Sequence, residues 1–121
     1  MSWTDIDDFL RQYDSSVNPD NYAKRNQLFG TYDLIGYLLK RGLLDADTLF
    51  AVSQFIMVGV WVKFKPIVEY YRRVSGGKDL YENWEYAARV MAEYKERVDP
   101  TWWYTTTNFS REDYEKAFRS K

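Results

Sequence analysis

The fold is decided by residues 48–62, which read TLFAVSQFIMVGVWV and contain no charged side chain. Large apolar residues surround the helical axis there instead of forming one stripe, which is typical of a helix buried on all sides. The stretch is too short to cross a membrane, because a spanning helix needs roughly 18 apolar residues or more. We therefore predict no membrane span and a central helix that begins after Asp45, runs to about Val74 and bends at Pro66.

Four further helices are expected around this central one, because apolar residues recur there at spacings of three and four. Short connections make consecutive helices antiparallel neighbours. We predict an all-α fold, an antiparallel helical bundle of four main helices plus a short C-terminal helix, with the central helix kinked at the proline. The expected single domain comprises an N-terminal helix and linker (1–17), a core bundle (18–98), and an aromatic strap with the C-terminal helix (99–121).

Local signals mark the ends of these helices. Asn18 before Pro19 predicts the start of the second helix, since proline suits the first helical position. Gly42 predicts the left-handed residue that follows the end of that helix. Asp79 and Glu82 have the spacing of an acidic capping box. We therefore expect the fourth main helix to begin at about residue 80 with its own local cap.

The interior of the second helix carries two glycines and an acid. Gly30 and Gly36 each cost up to about 1 kcal/mol relative to alanine, so we expect close helix contact at both. Asp33 is half-buried by its apolar neighbours, and a carboxylate in that position needs hydrogen-bond partners. Counting outward from the next turn places Ser53 and Gln54 opposite Asp33. These three residues are the predicted buried polar cluster, which is either structural or a small polar ligand site.

The composition excludes several kinds of chemistry. The chain has no Cys and no His, so disulfides, thiolate nucleophiles and imidazole acid–base catalysis are ruled out. Its acidic clusters lie in first helical turns, where carboxylates stabilise the helix dipole. We predict no catalytic residue, no cofactor and no metal site. The lack of Cys and of a signal peptide favours a cytoplasmic location.

A basic turn is predicted after the central helix. It consists of Arg72, Arg73 and Lys78, with Tyr71 beside them. Cations next to an aromatic ring can hold a phosphate and stack a base, which makes nucleic-acid association the alternative function. Against it, the formal net charge is −1, whereas a dedicated nucleic-acid binder is normally strongly basic. The other interpretation is that these cations close the helix C-terminus.

An aromatic strap is expected at Trp102, Trp103 and Tyr104. Three adjacent rings on an irregular segment cannot easily all face inward, so the strap is either a partner surface or a cover packed over the bundle. With Tyr71 and Tyr86 on the outer side of the helices, it forms the predicted interaction surface. The favoured function is a non-catalytic interaction or assembly module. Its predicted partner is a second copy, in a homodimer, or another protein.

Residues 32–94, about half of the chain, also carry a recognisable pattern. Its motifs are YDLI (32–35), KRGLLD (40–45), Trp61 followed by KPI (65–67), YR (71–72) and LYENWEY (80–86). This stretch resembles the helical domain-of-unknown-function family 4760. Asp33 stands where the family pattern has Glu, and Trp84 where it has Phe. The resemblance implies a compact helical domain and brings no assigned chemistry, so no catalytic residue is carried over.

Overall fold

The described part of the chain is entirely helical. The computed structural model describes residues 1–53, 56–102 and 109–119. Within these ranges the chain forms six α-helices and no strand, which confirms the all-α prediction. The helices are α1 (Ile6–Tyr13), α2 (Pro19–Lys40), α3 (Ala46–Ser53), α4 (Ile56–Ser75), α5 (Glu82–Val98) and α6 (Arg111–Arg119).

Aromatic rings join α2, α4 and α5 into the central bundle. Phe29 of α2 stacks on Trp84 of α5, with 4.7 Å between ring centroids, and meets Phe64 of α4 at 4.9 Å. Trp61 of α4 meets the edge of Trp84 at 5.0 Å and is fully buried, as expected. Each such ring pair stabilises the fold by roughly 0.5–1.5 kcal/mol beyond the burial of area. The three helices therefore share one aromatic core.

The expected central helix is divided in two, so its predicted extent was wrong. α3 ends at Ser53 and α4 begins at Ile56, and the two helices are bent by 84° relative to each other. α4 then continues from Ile56 to Ser75 with Pro66 in its interior. The uncharged stretch is also not buried on all sides, since Val52 is 77% exposed. A run of apolar residues indicates which side chains can be buried, but it does not indicate where a helix is interrupted.

The approach of α2 to α5 is closest at Gly36. A Cβ atom at this position would overlap the backbone carbonyl of Asn83, so only glycine fits. The contact expected at Gly36 is therefore confirmed. The contact expected at Gly30 is wrong, because no heavy atom lies within 4 Å of the position of its Cβ.

The outer helices α1 and α6 pack on this bundle. Lys65 of α4 donates to the carbonyl of Ala117 at 2.7 Å, and Arg89 of α5 donates to that of Phe118 at 3.2 Å. Both cations thus lie at the C-terminal end of α6, where the helix dipole favours positive charge. No single helix in the described ranges is long and apolar enough to cross a membrane; α3 and α4 meet that test only together, across their bend.

Candidate functional site

The carboxylate of Asp33 lies at the N-terminus of α5. Its Oδ1 accepts hydrogen bonds from the backbone N–H groups of Asn83 at 3.0 Å and Trp84 at 3.1 Å. These are the second and third residues of α5, whose N–H groups lack acceptors within the helix. Asp33 therefore caps α5 from a different helix, and its negative charge is favourable at that end of the dipole.

The cap supplied by Asp33 replaces the local one that the sequence predicted. Asp79 does not cap α5 with its side chain; its backbone carbonyl accepts from Glu82 N–H at 3.0 Å in a turn. The N-cap residue is Tyr81, which has a left-handed backbone (φ 58°) and whose side chain makes no capping hydrogen bond. The predicted capping box was therefore wrong, because this turn brings α5 against α2 instead.

The described residues do not form the predicted cluster of Asp33, Ser53 and Gln54. The hydroxyl of Ser53 donates to the carbonyl of Leu49 at 2.8 Å within its own helix, and Gln54 lies outside the described residues. The counting that paired these positions assumed that the helix after the Leu43 turn runs antiparallel alongside α2. α3 packs against α5 instead, where the ring centroid of Phe50 is 4.6 Å from that of Tyr94. Asp33 has a structural role, and its partners are on α5.

A cavity of about 250 Å³ lies between α2, α4 and the turn that precedes α5. Its apolar wall consists of Phe29, Ile67, Val68 and Leu80, and polar groups come from Tyr22, Arg25, Asn26, Tyr71, Ser75 and Tyr81. Arg25 is 5% exposed and is the only buried charged residue in the described ranges. Charged side chains are almost never buried without a partner, so Arg25 should have hydrogen-bond or ion-pair partners nearby.

The guanidinium of Arg25 is held by neutral acceptors. Its Nη1 donates to the carbonyl of Tyr13 at 2.9 Å and to Oδ1 of Asn21 at 3.0 Å, and its Nη2 donates to the hydroxyl of Tyr71 at 3.3 Å. None of the ion pairs among the described residues involves Arg25. A buried positive charge is thus compensated by dipoles and not by a carboxylate.

Two aromatic rings also lie against this guanidinium. Its central carbon is 5.0 Å from the ring centroid of Phe9 and 4.9 Å from that of Tyr22. Such cation–π contacts contribute about 2 kcal/mol when they are shielded from water. Phe9 lies on α1 and Tyr22 on α2, so both helices contribute a ring to the surroundings of Arg25.

Two tyrosines of the cavity, Tyr71 and Tyr81, keep their hydroxyl protons. Burial raises the pKa of Tyr71 above its ordinary value, and the nearby Arg25 lowers it by less. Burial also raises the pKa of Tyr81. Both hydroxyls are therefore neutral near pH 7. Tyr71 accepts from Arg25 and still has its own proton to donate.

These features lie within a recognisable family domain. The sequence model of the family described as "Domain of unknown function (DUF4760)" matches residues 3–91. The chain belongs to the DUF4760 family. The match confirms the resemblance over residues 32–91, ends three residues before its predicted limit at 94, and extends it over α1 and the first part of α2. No curated protein and no solved structure matches the chain.

In the predicted basic turn of this DUF4760 domain, one cation packs between helices and two lie at the surface. Arg72 Nε donates to the carbonyl of Leu80 at 2.8 Å, and its Nη2 pairs with Glu85 at 3.2 Å. Arg72 thus connects α4 to α5. Arg73 and Lys78 are exposed. The structure nevertheless brings the three cations together, since they line one surface groove with Glu69 and Gly76; Arg72 is already paired there, and Glu69 adds a negative charge.

Three of the five residues of the predicted interaction surface lie within the described residues, and these three are separated. Trp102 is 1% exposed and packs against Tyr114, so it belongs to the core and its prediction as a surface residue was wrong. α6 supplies the cover that the sequence did not reveal. Tyr71 lines the cavity, and Tyr86 is exposed with the ammonium of Lys40 5.1 Å from its ring. Trp103 and Tyr104 lie outside the described residues.

Sequence reasoning missed a different surface of the DUF4760 domain, on the solvent side of α2. Leu34 is nine residues from Arg25, which is two and a half helical turns, so it faces away from the core. It is 58% exposed, and Tyr37 is 45% exposed beside it. The sequence feature that could have revealed this surface is that α2 carries apolar side chains on both of its sides. We call this surface the outer α2 face; its residues, all exposed, are Asp20, Ala23, Gln27, Gly30, Leu34, Tyr37 and Arg41.

The described residues offer no site for a metal. No group of three or more Asp or Glu side chains within them is close enough together to hold a metal ion. Two features therefore remain as candidates in this DUF4760 domain: the cavity at Arg25 and the outer α2 face.

Proposed function

We propose that this domain is a non-catalytic interaction module that associates with a second copy of itself through the outer α2 face. The observation that carries the proposal is the exposure of Leu34 and Tyr37 on one side of α2. Isolated exposed apolar residues are ordinary on a protein surface. Here Leu34 and Tyr37 lie on the same helix face as Gly30 and Arg41, at the three- and four-residue spacing of helix–helix contacts.

Charge complementarity favours a second copy as the partner. The outer α2 face begins with Asp20 and ends with Arg41, and Gly30 lies midway between them. A two-fold contact pairs each residue of one copy with a different residue of the other, reciprocally. In two antiparallel α2 helices that cross at Gly30, Asp20 of each copy would therefore lie near Arg41 of the other.

The size of Gly30 supports the same arrangement. The space beside its Cβ position is open to 4 Å, so the backbones of two helices can approach closely there. Leu34 would then be covered by the region of Gln27 of the second copy. Burial of one leucine stabilises association by roughly 1.5–3 kcal/mol, while association itself costs roughly 4–15 kcal/mol. Even the two leucines of a dimer do not offset this cost, so Tyr37 and the pairs of Asp20 with Arg41 must supply most of the affinity; a micromolar dissociation constant corresponds to about 8 kcal/mol of net binding free energy.

Sedimentation equilibrium at tens of micromolar tests the proposal. We expect a species of twice the 14.5 kDa chain mass, and a monomer for Leu34→Glu, which places a charge at the centre of the face. Val74→Glu is the matched control, because Val74 is also exposed, at 61%, but lies on α4. A wild type of 14.5 kDa, or equal masses for the two variants, would refute the proposal.

Charge reversal tests the antiparallel arrangement separately. Asp20→Lys should weaken association by placing two cations together, and adding Arg41→Asp should restore it by exchanging the two charges. Both residues are exposed. Asp20→Lys also removes a first-turn acid and its ion pair with Lys24 at 3.0 Å, at a cost of about 0.3–1 kcal/mol each, so both variants should still fold. An effect of the double variant equal to the sum of the single effects would contradict this pairing.

A further inference from the structure

We propose that the cavity at Arg25 binds a small amphipathic carboxylate, such as a single-ring aromatic acid. The carboxylate group would pair with Arg25 and Tyr71, and the apolar part would lie against Phe29 and Val68. This site is distinct from the outer α2 face, since the cavity faces the core side of α2. Its test therefore does not depend on whether the protein self-associates.

Unused hydrogen-bond donors support an anionic ligand. A guanidinium has five N–H donors, and Arg25 donates three hydrogen bonds, to Tyr13, Asn21 and Tyr71. The Nε–H and one N–H of Nη2 have no acceptor among the described residues. Such a pair of N–H groups matches the two oxygens of a carboxylate. The proton of the Tyr71 hydroxyl is a further donor for the same ligand.

The local charge balance points the same way. Asp14 is an acid close enough to sense Arg25, but its carboxylate accepts from the Ser16 hydroxyl at 2.8 Å instead. That hydrogen bond is the main reason why the pKa of Asp14 is lowered, and Arg25 adds a smaller effect. Arg25 therefore lacks a directly bonded anion within the described residues. A ligand carboxylate would supply one.

The size and lining of the cavity define the rest of the ligand. A volume of about 250 Å³ is that of roughly eight water molecules at about 30 Å³ each. This accommodates one ring with a short acidic group. Phe29, Ile67 and Val68 are all buried and form an apolar wall for the ring. A bare inorganic anion would leave this wall uncovered.

The first experiment compares ligands on the unaltered protein. Amide resonances are followed by NMR during titration with benzoate, with benzamide as the neutral analogue and with inorganic phosphate. We expect saturable benzoate shifts at Tyr22, Tyr71 and Tyr81, and at least tenfold weaker binding of the other two ligands, about 1.4 kcal/mol. Equal binding of benzamide or phosphate, shifts elsewhere, or no shifts at about 10 mM, above the millimolar affinity expected of a weak ligand, would overturn the proposal.

The second experiment uses variants. Arg25→Gln should weaken benzoate binding at least tenfold, about 1.4 kcal/mol, and Val68→Phe should abolish it by filling the cavity while Arg25 is kept. Arg97→Gln is the matched control, because Arg97 also lies over a tyrosine ring, that of Tyr94 at 5.6 Å, but is exposed and lies outside both proposed sites. Arg25→Gln also removes the hydrogen bond from Arg25 to α1, so this variant could fail to fold. In that case the comparison of ligands on the unaltered protein and the Val68→Phe variant test the proposal. Unchanged affinity in folded Val68→Phe would overturn the proposal.

Discussion

Replacing Asp33 with alanine would remove the acceptor that α2 supplies to the first turn of α5. The backbone N–H groups of Asn83 and Trp84 would lose hydrogen bonds of 3.0 and 3.1 Å. Loss of a capping acceptor costs about 0.5–2 kcal/mol, and loss of negative charge at a helix N-terminus adds about 0.3–1 kcal/mol. We therefore expect the free energy of unfolding to fall by about 1–3 kcal/mol, which lowers Tm by roughly 4–12 °C.

Thermal and urea unfolding, followed by circular dichroism, measure this change. Asp33→Asn keeps an acceptor oxygen and removes only the charge, so it should lose the smaller, electrostatic share. Asp7→Ala is the control, because Asp7 is an exposed acid in the first turn of α1. It should cost no more than about 1 kcal/mol. A Tm for Asp33→Ala that is no lower than that of Asp7→Ala would refute the role of Asp33 as the cap of α5.

Three further predictions concern the core. Trp61→Ala should lower the free energy of unfolding by about 3–5 kcal/mol, because the ring is fully buried; a urea midpoint equal to that of wild type would contradict this. Gly36→Ala should cost about 1–3 kcal/mol, since its Cβ would overlap the backbone of α5. Gly30→Ala should instead be neutral or stabilising by up to about 1 kcal/mol. It is measured by the same urea unfolding in the Leu34→Glu variant, in which self-association is expected to be absent. Equal effects at Gly30 and Gly36 would count against the close approach of α2 to α5 at Gly36. Burial raises the pKa of Tyr114 to about 12, which an ultraviolet titration should show. The neutral phenol is then favoured in the folded state, so stability is intact below about pH 10 and falls between about pH 10 and 12; the fall should be smaller in Tyr114→Phe.

Features that depend on neighbouring residues could be predicted from the sequence. Asn18 accepts from the N–H of Asn21 at 3.2 Å, directly before Pro19, as the capping signal indicated. Gly42 has a φ of 75°, the left-handed conformation expected after a helix. The burial of Trp61 was expected because it lies in the uncharged apolar stretch of residues 48–62. In each case the residue types and the spacing within a few positions contain the physical cause.

The residues that organise the candidate sites have distant partners, and the sequence does not reveal these. Asp33 and Asn83 are 50 positions apart, and Arg25 and Tyr71 are 46 positions apart. Arginine is mostly exposed in proteins, so nothing local marks Arg25 as buried. Ser53 was placed wrongly for the same reason, because α3 packs against α5 and not alongside α2, and no nearby residue marks that contact.

The close approach of α2 to α5 at Gly36 also determines how the protein opens to solvent. The first-turn amides of α5 stay bonded only while Asp33 is in position, so they cannot exchange their hydrogens before α2 separates from α5. We expect the amides of both helices to share one opening free energy, as a cooperative unit does. α6 is fastened at its end by Lys65 and Arg89, and these two contacts can break while the bundle stays closed. Hydrogen exchange should therefore divide the domain into a slow unit, α2 with α5, and a faster one at α6.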